Sequence, residues 1–139
     1  MIIVPNEWIV DLLVGSVPEQ RLVHTFLDRV DAERHQLALR RQSPLVGKLH
    51  RALRDPQKRA KRLWLMWLDS NKVNPVEEHE ITTLPEQLHR EVPEDDRYLV
   101  ETAFVRRPCL LVTTDGQLWE ILRRQQEFQV QLLDEFLGG

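Results

Sequence analysis

Residues 109–118, CLLVTTDGQL, carry the pattern that decides the fold. The first five of these residues form an uncharged and mostly apolar run, which is typical of a buried strand. Asp115-Gly116 then turns the chain, and residues 117–124 have the spacing of a helix. A buried strand that leads directly into a helix predicts an α/β protein with a mostly parallel sheet.

The same alternation of strands and helices extends from this stretch to both ends of the chain. Further strands are predicted at residues 2–4, 35–39 and 128–133. Helices are predicted at 7–14, after Ser16, at 43–54, from Asp55-Pro56 through Leu68, and at 93–106. Residues 71–91 are predicted to be a loop holding one short helix. We therefore expect one domain, residues 1–139, built as a three-layer sandwich around the sheet.

Composition and charge exclude several classes of function. Hydrophobic residues make up 42% and charged residues 29% of the chain, as in ordinary globular proteins. The net charge of -3 argues against nucleic-acid binding by bulk charge. A single cysteine excludes an internal disulfide and a cysteine-based zinc site. Uncharged stretches do not exceed seven residues, whereas a membrane span needs about 20, so we expect a cytoplasmic protein with no membrane partner.

Oxygen-bearing side chains follow two of the predicted strands and open the helix before residues 109–113. In parallel sheets, ligand sites lie beyond the carboxyl ends of the strands. Carboxylates crowded at such an edge favour a divalent cation, Mg²⁺ or Mn²⁺, because it neutralises their repulsion. The candidates are Asn6, Glu7, Asp95, Asp96, Thr113, Thr114 and Asp115.

Each candidate also has an ordinary structural role. Asn6 is a good helix N-cap, and this role is favoured over that of a ligand. Asp95 and Asp96 would stabilise a helix N-terminus through its dipole, and Asp115 fits a common turn pair. Asp115 is the strongest single candidate, because it also follows a buried strand.

Two segments of the C-terminal half resemble the PIN domain (PilT N-terminus) nuclease family. Residues 95–103, DDRYLVETA, match its acidic residue that opens a helix and the small residue seven positions later. Residues 110–118 match its apolar strand ending in Val-Thr-x-Asp. Residues 128–137, FQVQLLDEFL, look like its last strand and closing turn, and residues 2–10, IIVPNEWIV, fit its opening in outline.

This resemblance implies metal-assisted hydrolysis of an RNA phosphodiester. It assigns catalysis to Asp96 and Asp115, cation binding to these two residues with Asn6, and supporting roles to Glu7, Asp95, Thr113 and Thr114. Asn6 stands where the family has its first aspartate, and residues 46–48 read Val-Gly-Lys where it has a glutamate. The resemblance therefore implies a degenerate acidic centre with weakened affinity for Mg²⁺ or Mn²⁺.

Basic residues concentrate between positions 40 and 62, where nine Arg or Lys residues accompany one acid. A predicted helical hairpin in this region could hold a phosphate backbone. The alternative is a solvated face or an internal match to the acidic segment 69–101. The candidate nucleic-acid-binding residues are Arg51, Arg54, Lys58, Arg59, Lys61 and Arg62.

Two functions remain open at this point. One is a divalent-metal-dependent ribonuclease, such as the toxin half of a toxin–antitoxin pair, with an antitoxin-like protein partner. The other is a catalytically silent PIN-like module that binds RNA or a protein partner through the basic hairpin. A homo-oligomer is the alternative to a different protein partner. The altered acidic positions favour the second function, and the retained pair Asp96 and Asp115 favours the first.

Overall fold

The computed structural model describes residues 1–138, and the last residue of the predicted domain, Gly139, lies outside them. Its centre is a five-stranded sheet in the order β3-β2-β1-β4-β5, with every neighbouring pair parallel. The strands are β1 Ile2–Pro5, β2 Gln36–Arg40, β3 Val73–Val76, β4 Leu110–Thr113 and β5 Gln129–Leu132.

Eight α-helices connect or follow these strands in the described part of the chain. The capping box predicted at Ser16 is present, because its hydroxyl accepts from Glu19 N and Glu19 Oε1 accepts from Ser16 N. Ser43 caps the next helix in the same way, by accepting from Val46 N. The helices are α1 Trp8–Leu13, α2 Val17–Ala32, α3 Pro44–Ala52, α4 Lys61–Trp67, α5 Glu86–Glu91, α6 Arg97–Val105, α7 Gly116–Leu122 and α8 Leu133–Phe136.

Side chains of the sheet alternate between two separate apolar cores. Ile3 and Val112 pack with α1, α2, α3 and α4 on one face, whereas Val4 and Leu111 pack with α5, α6 and α7 on the other. Strands covered on both faces read as nearly continuous apolar runs, which is why β1 and β4 are legible in the sequence. The predicted three-layer arrangement is confirmed. None of the helices within residues 1–138 is long and apolar enough to span a membrane.

The short helix expected within residues 71–91 is present as α5, but the expectation that the rest is loop is wrong, because this segment also contains β3. Val73 pairs with Leu37 of β2, and Pro75 lies opposite Leu39. Pro75 removes one amide hydrogen and so argues against a central strand. It is tolerated here because β3 is the edge strand of the sheet.

The helix expected from Asp55-Pro56 begins only at Lys61. The Asp55 carboxylate accepts hydrogen bonds from Gln57 N and Arg59 Nε, both at 2.8 Å, and so stabilises a turn. Lys58 has a φ of +52°, which is incompatible with a right-handed helix. Lys58 therefore lies outside α4, and the prediction of a helical hairpin across this basic segment is wrong between residues 55 and 60.

Candidate functional site

The carboxyl ends of the five parallel strands form one edge of the sheet, and those of β1 and β4 lie side by side at its centre. Pro5 of β1 is opposite Val112 of β4, so Asn6 and Asp115 follow neighbouring strands. The indole of Trp8 donates from Nε1 to Val112 O at 2.9 Å and ties the start of α1 to the end of β4. Ligand sites of parallel sheets lie beyond the carboxyl ends of the strands, so this edge is the expected place for a site.

Asp96 precedes α6, whose N-terminus lies at the same edge. Partial burial raises the pKa of Asp96, and the charges of Asp115, Asp95 and Glu7 raise it further. The side chain of Asn6 donates a hydrogen bond that partly offsets this rise. The structure therefore brings Asn6, Asp96 and Asp115 together, with Glu7 and Asp95 close enough to act on Asp96 by their charge.

Asn6 has three polar neighbours. Its Oδ1 accepts from Glu7 N at 2.6 Å and from Tyr98 Oη at 3.4 Å. Its third neighbour is Asp96, whose pKa the side chain of Asn6 lowers. Asn6 thus lies between the end of β1 and Asp96, a place that favours a positioning role.

Tyr98 belongs to this site but was not a candidate from sequence. Its pKa is raised, mainly by burial and then by the charges of Glu7, Asp96 and Asp11. The phenol is therefore neutral at physiological pH and serves as a hydrogen-bond donor. Its position two residues after Asp96 was the one available signal, because Tyr98 and Asn6 are 92 residues apart in the chain.

Asp115 combines a structural role with its place at the edge. It is the N-cap of α7, where Oδ1 accepts from Gln117 N at 2.9 Å and from Leu118 N at 3.3 Å. The hydroxyl of Thr113 accepts from Asp115 N at 3.0 Å and so fixes the turn. Thr113 is fully buried, whereas Thr114 is exposed.

Glu7 faces a lysine that sequence analysis did not select. Lys48 Nζ lies 2.9 and 3.0 Å from the two carboxylate oxygens of Asp11 and 3.5 Å from Glu7 Oε1. The hydrogen bond to Asp11 is the main reason that the pKa of Lys48 is raised. An ammonium group therefore lies beside Glu7, in the stretch where the resemblance implied a glutamate.

The donor set at this edge fits a divalent cation held by two carboxylates. Within residues 1–138, no three Asp, Glu, His or Cys side chains are arranged to hold a metal ion. Mg²⁺ retains several waters and is commonly bound through one or two carboxylates together with substrate phosphate. Asp96 and Asp115 meet this smaller requirement, and a cation would relieve the repulsion that raises the pKa of Asp96.

Many of the basic residues are paired inside the molecule. Arg40 bonds Glu78 and Glu101, and Arg41 pairs with Glu77, so part of the basic segment matches the acidic one. Arg59 bonds Asp55 and Val14 O, while Arg62 bonds Asp28 and lies near Asp31 and His24. Among the six nucleic-acid candidates, Arg59 and Arg62 therefore have internal partners.

The other four candidates make no ion pair within the described residues. They are Arg51, Arg54, Lys58 and Lys61. Arg51 and Arg54 line a groove of about 510 Å³ beside α1 and α3, which also includes Lys48 and Asp11. Since Lys48 contacts Glu7, this groove reaches the acidic edge, which is the part of the carboxyl edge that carries Glu7, Asp96 and Asp115.

Comparison with solved structures finds a similar fold in a crystal structure of VapBC2 from Rickettsia felis bound to a DNA fragment from their promoter. The TM-score is 0.60 with 11% sequence identity, over 95% of this chain and 98% of that chain. No protein-family model matches the chain, and no curated protein matches its sequence. At this identity the likeness concerns the fold alone.

Proposed function

We propose that this chain, whose PIN-like fold agrees with the structural match, hydrolyses RNA phosphodiesters with a divalent cation bound at the carboxyl edge of the sheet. Asp96 and Asp115 are the proposed catalytic residues and cation ligands. The observation that carries the proposal is their placement, since Asp115 follows β4 beside the end of β1 and Asp96 precedes α6 at the same edge. Burial raises the pKa of Asp96, and the charge of Asp115 adds to this rise. Two carboxylates that repel each other beyond the carboxyl ends of parallel strands favour cation binding, because a cation neutralises their repulsion.

The side chains around the two aspartates have separate roles in this proposal. When bound, Mg²⁺ or Mn²⁺ would activate a water molecule and offset charge on the phosphate. Asp115 is held by its cap. Tyr98 donates to Asn6, and Asn6 in turn lies beside Asp96.

The supporting candidates act more indirectly. Asp95 and Glu7 add negative charge around Asp96. Thr113 fixes the backbone of Asp115, and Thr114 is exposed directly before it. In this arrangement Asn6 is a positioning residue for Asp96, and its amide oxygen is available to a cation only if it leaves Tyr98.

The wild-type protein is expected to cleave single-stranded RNA in Mn²⁺, with weaker activity in Mg²⁺. Two carboxylates bind these ions weakly, so saturation should need roughly millimolar metal, with Mn²⁺ favoured by the usual affinity order. Cleavage assays with a metal titration and a chelator control measure this. Binding of Mg²⁺ at micromolar concentration would contradict the two-carboxylate site, and cleavage unaffected by chelator would contradict the metal requirement.

A second candidate function is RNA binding without cleavage through the basic surface. The specific observation is the groove lined by Arg51 and Arg54, two exposed arginines without an ion pair in the described residues. Lys58 and Lys61 extend the available positive charge, while Arg59 and Arg62 are expected to contribute little because of their internal partners. This surface serves either function, since a nuclease also has to hold its substrate.

The double variant Arg51→Glu with Arg54→Glu is expected to weaken retention of single-stranded RNA. Loss of two phosphate contacts should reduce the slope of log K against log salt by about 1.4, because fewer counterions are released. Filter binding at several salt concentrations measures both quantities. Arg123→Glu with Arg124→Glu is the matched control, because these exposed arginines directly after α7 pair with Glu120. Equal losses in both double variants would contradict a local binding surface.

We also propose a protein partner of the antitoxin type, or a second copy of this chain. The support is the matched structure, which holds VapBC2 with promoter DNA. Coexpression with the product of an adjacent reading frame, followed by mass determination of the purified complex, tests this. A chain that stays monomeric alone and in coexpression would contradict it.

A further inference from the structure

Lys48 is the cation that the chain itself supplies to the acidic edge. Its Nζ has three carboxylate oxygens around it, two from Asp11 at 2.9 and 3.0 Å and one from Glu7 at 3.5 Å. Its hydrogen bonds go to the two Asp11 oxygens, and Glu7 Oε1 lies at ion-pair distance. Lys48 is therefore engaged within the molecule and is not available as a free phosphate-binding group.

The acidic residues at this edge consequently fall into two sets. Glu7 and Asp11 have Lys48 as their counter-charge. Asp96 and Asp115 form no ion pair within residues 1–138, and their charges repel each other. Glu7 lies between the sets, because it contacts Lys48 and also acts on Asp96 by its charge.

We propose that Lys48 is a tethered counter-cation that withholds Glu7 from the Asp96 and Asp115 pair and thereby keeps the affinity for divalent cations low. This inference rests on the cation site of the proposed function. It assigns Lys48 a role in setting which cation the edge binds, and how tightly. Removing the ammonium while keeping the aliphatic stem would release Asp11 and Glu7, of which Glu7 acts on Asp96, and would remove one opposing charge.

Lys48→Met is therefore expected to bind Mn²⁺ at least about tenfold more tightly than the wild type, because one positive charge leaves the neighbourhood of the site. Isothermal titration with Mn²⁺ measures the affinity without reference to cleavage. Lys48→Gln should behave in the same way, and Lys48→Arg, which keeps the charge, should stay near the wild-type value. Adding Glu7→Gln to Lys48→Met should cancel most of the gain, because Glu7 is the released carboxylate that acts on Asp96.

Lys72→Met is the matched control. Lys72 also forms an ion pair, with Asp31 at 3.4 Å. It precedes β3 and therefore lies toward the amino ends of the strands, away from the acidic edge. An unchanged affinity in both Lys48→Met and Lys48→Gln would overturn the proposal, as would an equal gain in Lys72→Met. A tenfold gain in a protein that cleaves no RNA would support the role of Lys48 and contradict the proposed hydrolysis, so the two failures are distinguishable.

Discussion

Asp115→Asn is expected to reduce Mn²⁺-dependent cleavage of single-stranded RNA by at least about 100-fold, because a cation ligand contributes several kcal/mol of charge stabilisation. The fold should be unaffected. Asp115 caps α7 through Oδ1, and asparagine presents an equivalent amide oxygen to Gln117 N and Leu118 N. Cleavage rates and melting temperatures of the purified variant separate the two roles.

Asp115→Ala and Glu94→Gln are the controls for this variant. Asp115→Ala removes both the charge and the cap, and should lose about 1 kcal/mol of stability in addition to activity. Glu94→Gln removes an exposed carboxylate from the turn before α6 and should leave cleavage unchanged. An Asp115→Asn protein with undiminished cleavage would mean that Asp115 is a helix cap alone.

Asp96→Asn is expected to reduce cleavage about as strongly as Asp115→Asn does. At neutral pH it is also expected to raise the melting temperature. The raised pKa of Asp96 means that the folded state disfavours its ionised form. Stability is therefore lost as the pH rises from the unfolded pKa through the folded one, and the deficit persists above it. Asparagine removes this deficit, so a gain in stability should accompany the loss of activity.

Melting temperatures measured from about pH 3 to pH 7 check the sign of this effect. The difference between Asp96→Asn and the wild type should be small at the acidic end, where Asp96 is protonated in both states, and should grow with pH. Glu94→Gln, in the same turn, should show no such growth. A variant less stable than the wild type at pH 7 would contradict the unfavourable ionisation of Asp96, which follows from its burial and from the neighbouring negative charges.

The parts of the fold that were predicted correctly are those with a local signal. Residues 2–4 and 109–113 are apolar because β1 and β4 are buried on both faces, and Ser16 carries its own capping box. The proximity of Asn6, Asp96 and Asp115 was expected from the rule for strand ends and from the resemblance. Their catalytic roles remain predictions.

The features that were missed depend on contacts between distant segments. Tyr98 and Lys48 join the acidic edge through partners 92 and 37 residues away, and no spacing rule reports such pairs. Pairing of Arg62 with Asp28 depends in the same way on how α2 and α4 pack. The turn at Lys58 was missed for a different reason, since Asp55-Pro56 is equally typical of a helix start and of a turn.

Pro75 has a consequence for how the molecule behaves at high concentration. The carbonyl groups of Lys72 and Val76 accept hydrogen bonds from backbone amides at β2. Backbone groups of successive strand residues point alternately to the two sides of the strand, so those of Pro75 point away from β2. At that point the open edge has no amide hydrogen to offer, and Pro75 O already accepts from Arg106 Nη2 at 2.9 Å. A strand from another molecule would find neither a donor nor a free acceptor there. The open side of the edge strand β3 is thereby protected against polymerisation by strand addition, the route by which exposed edge strands start aggregation.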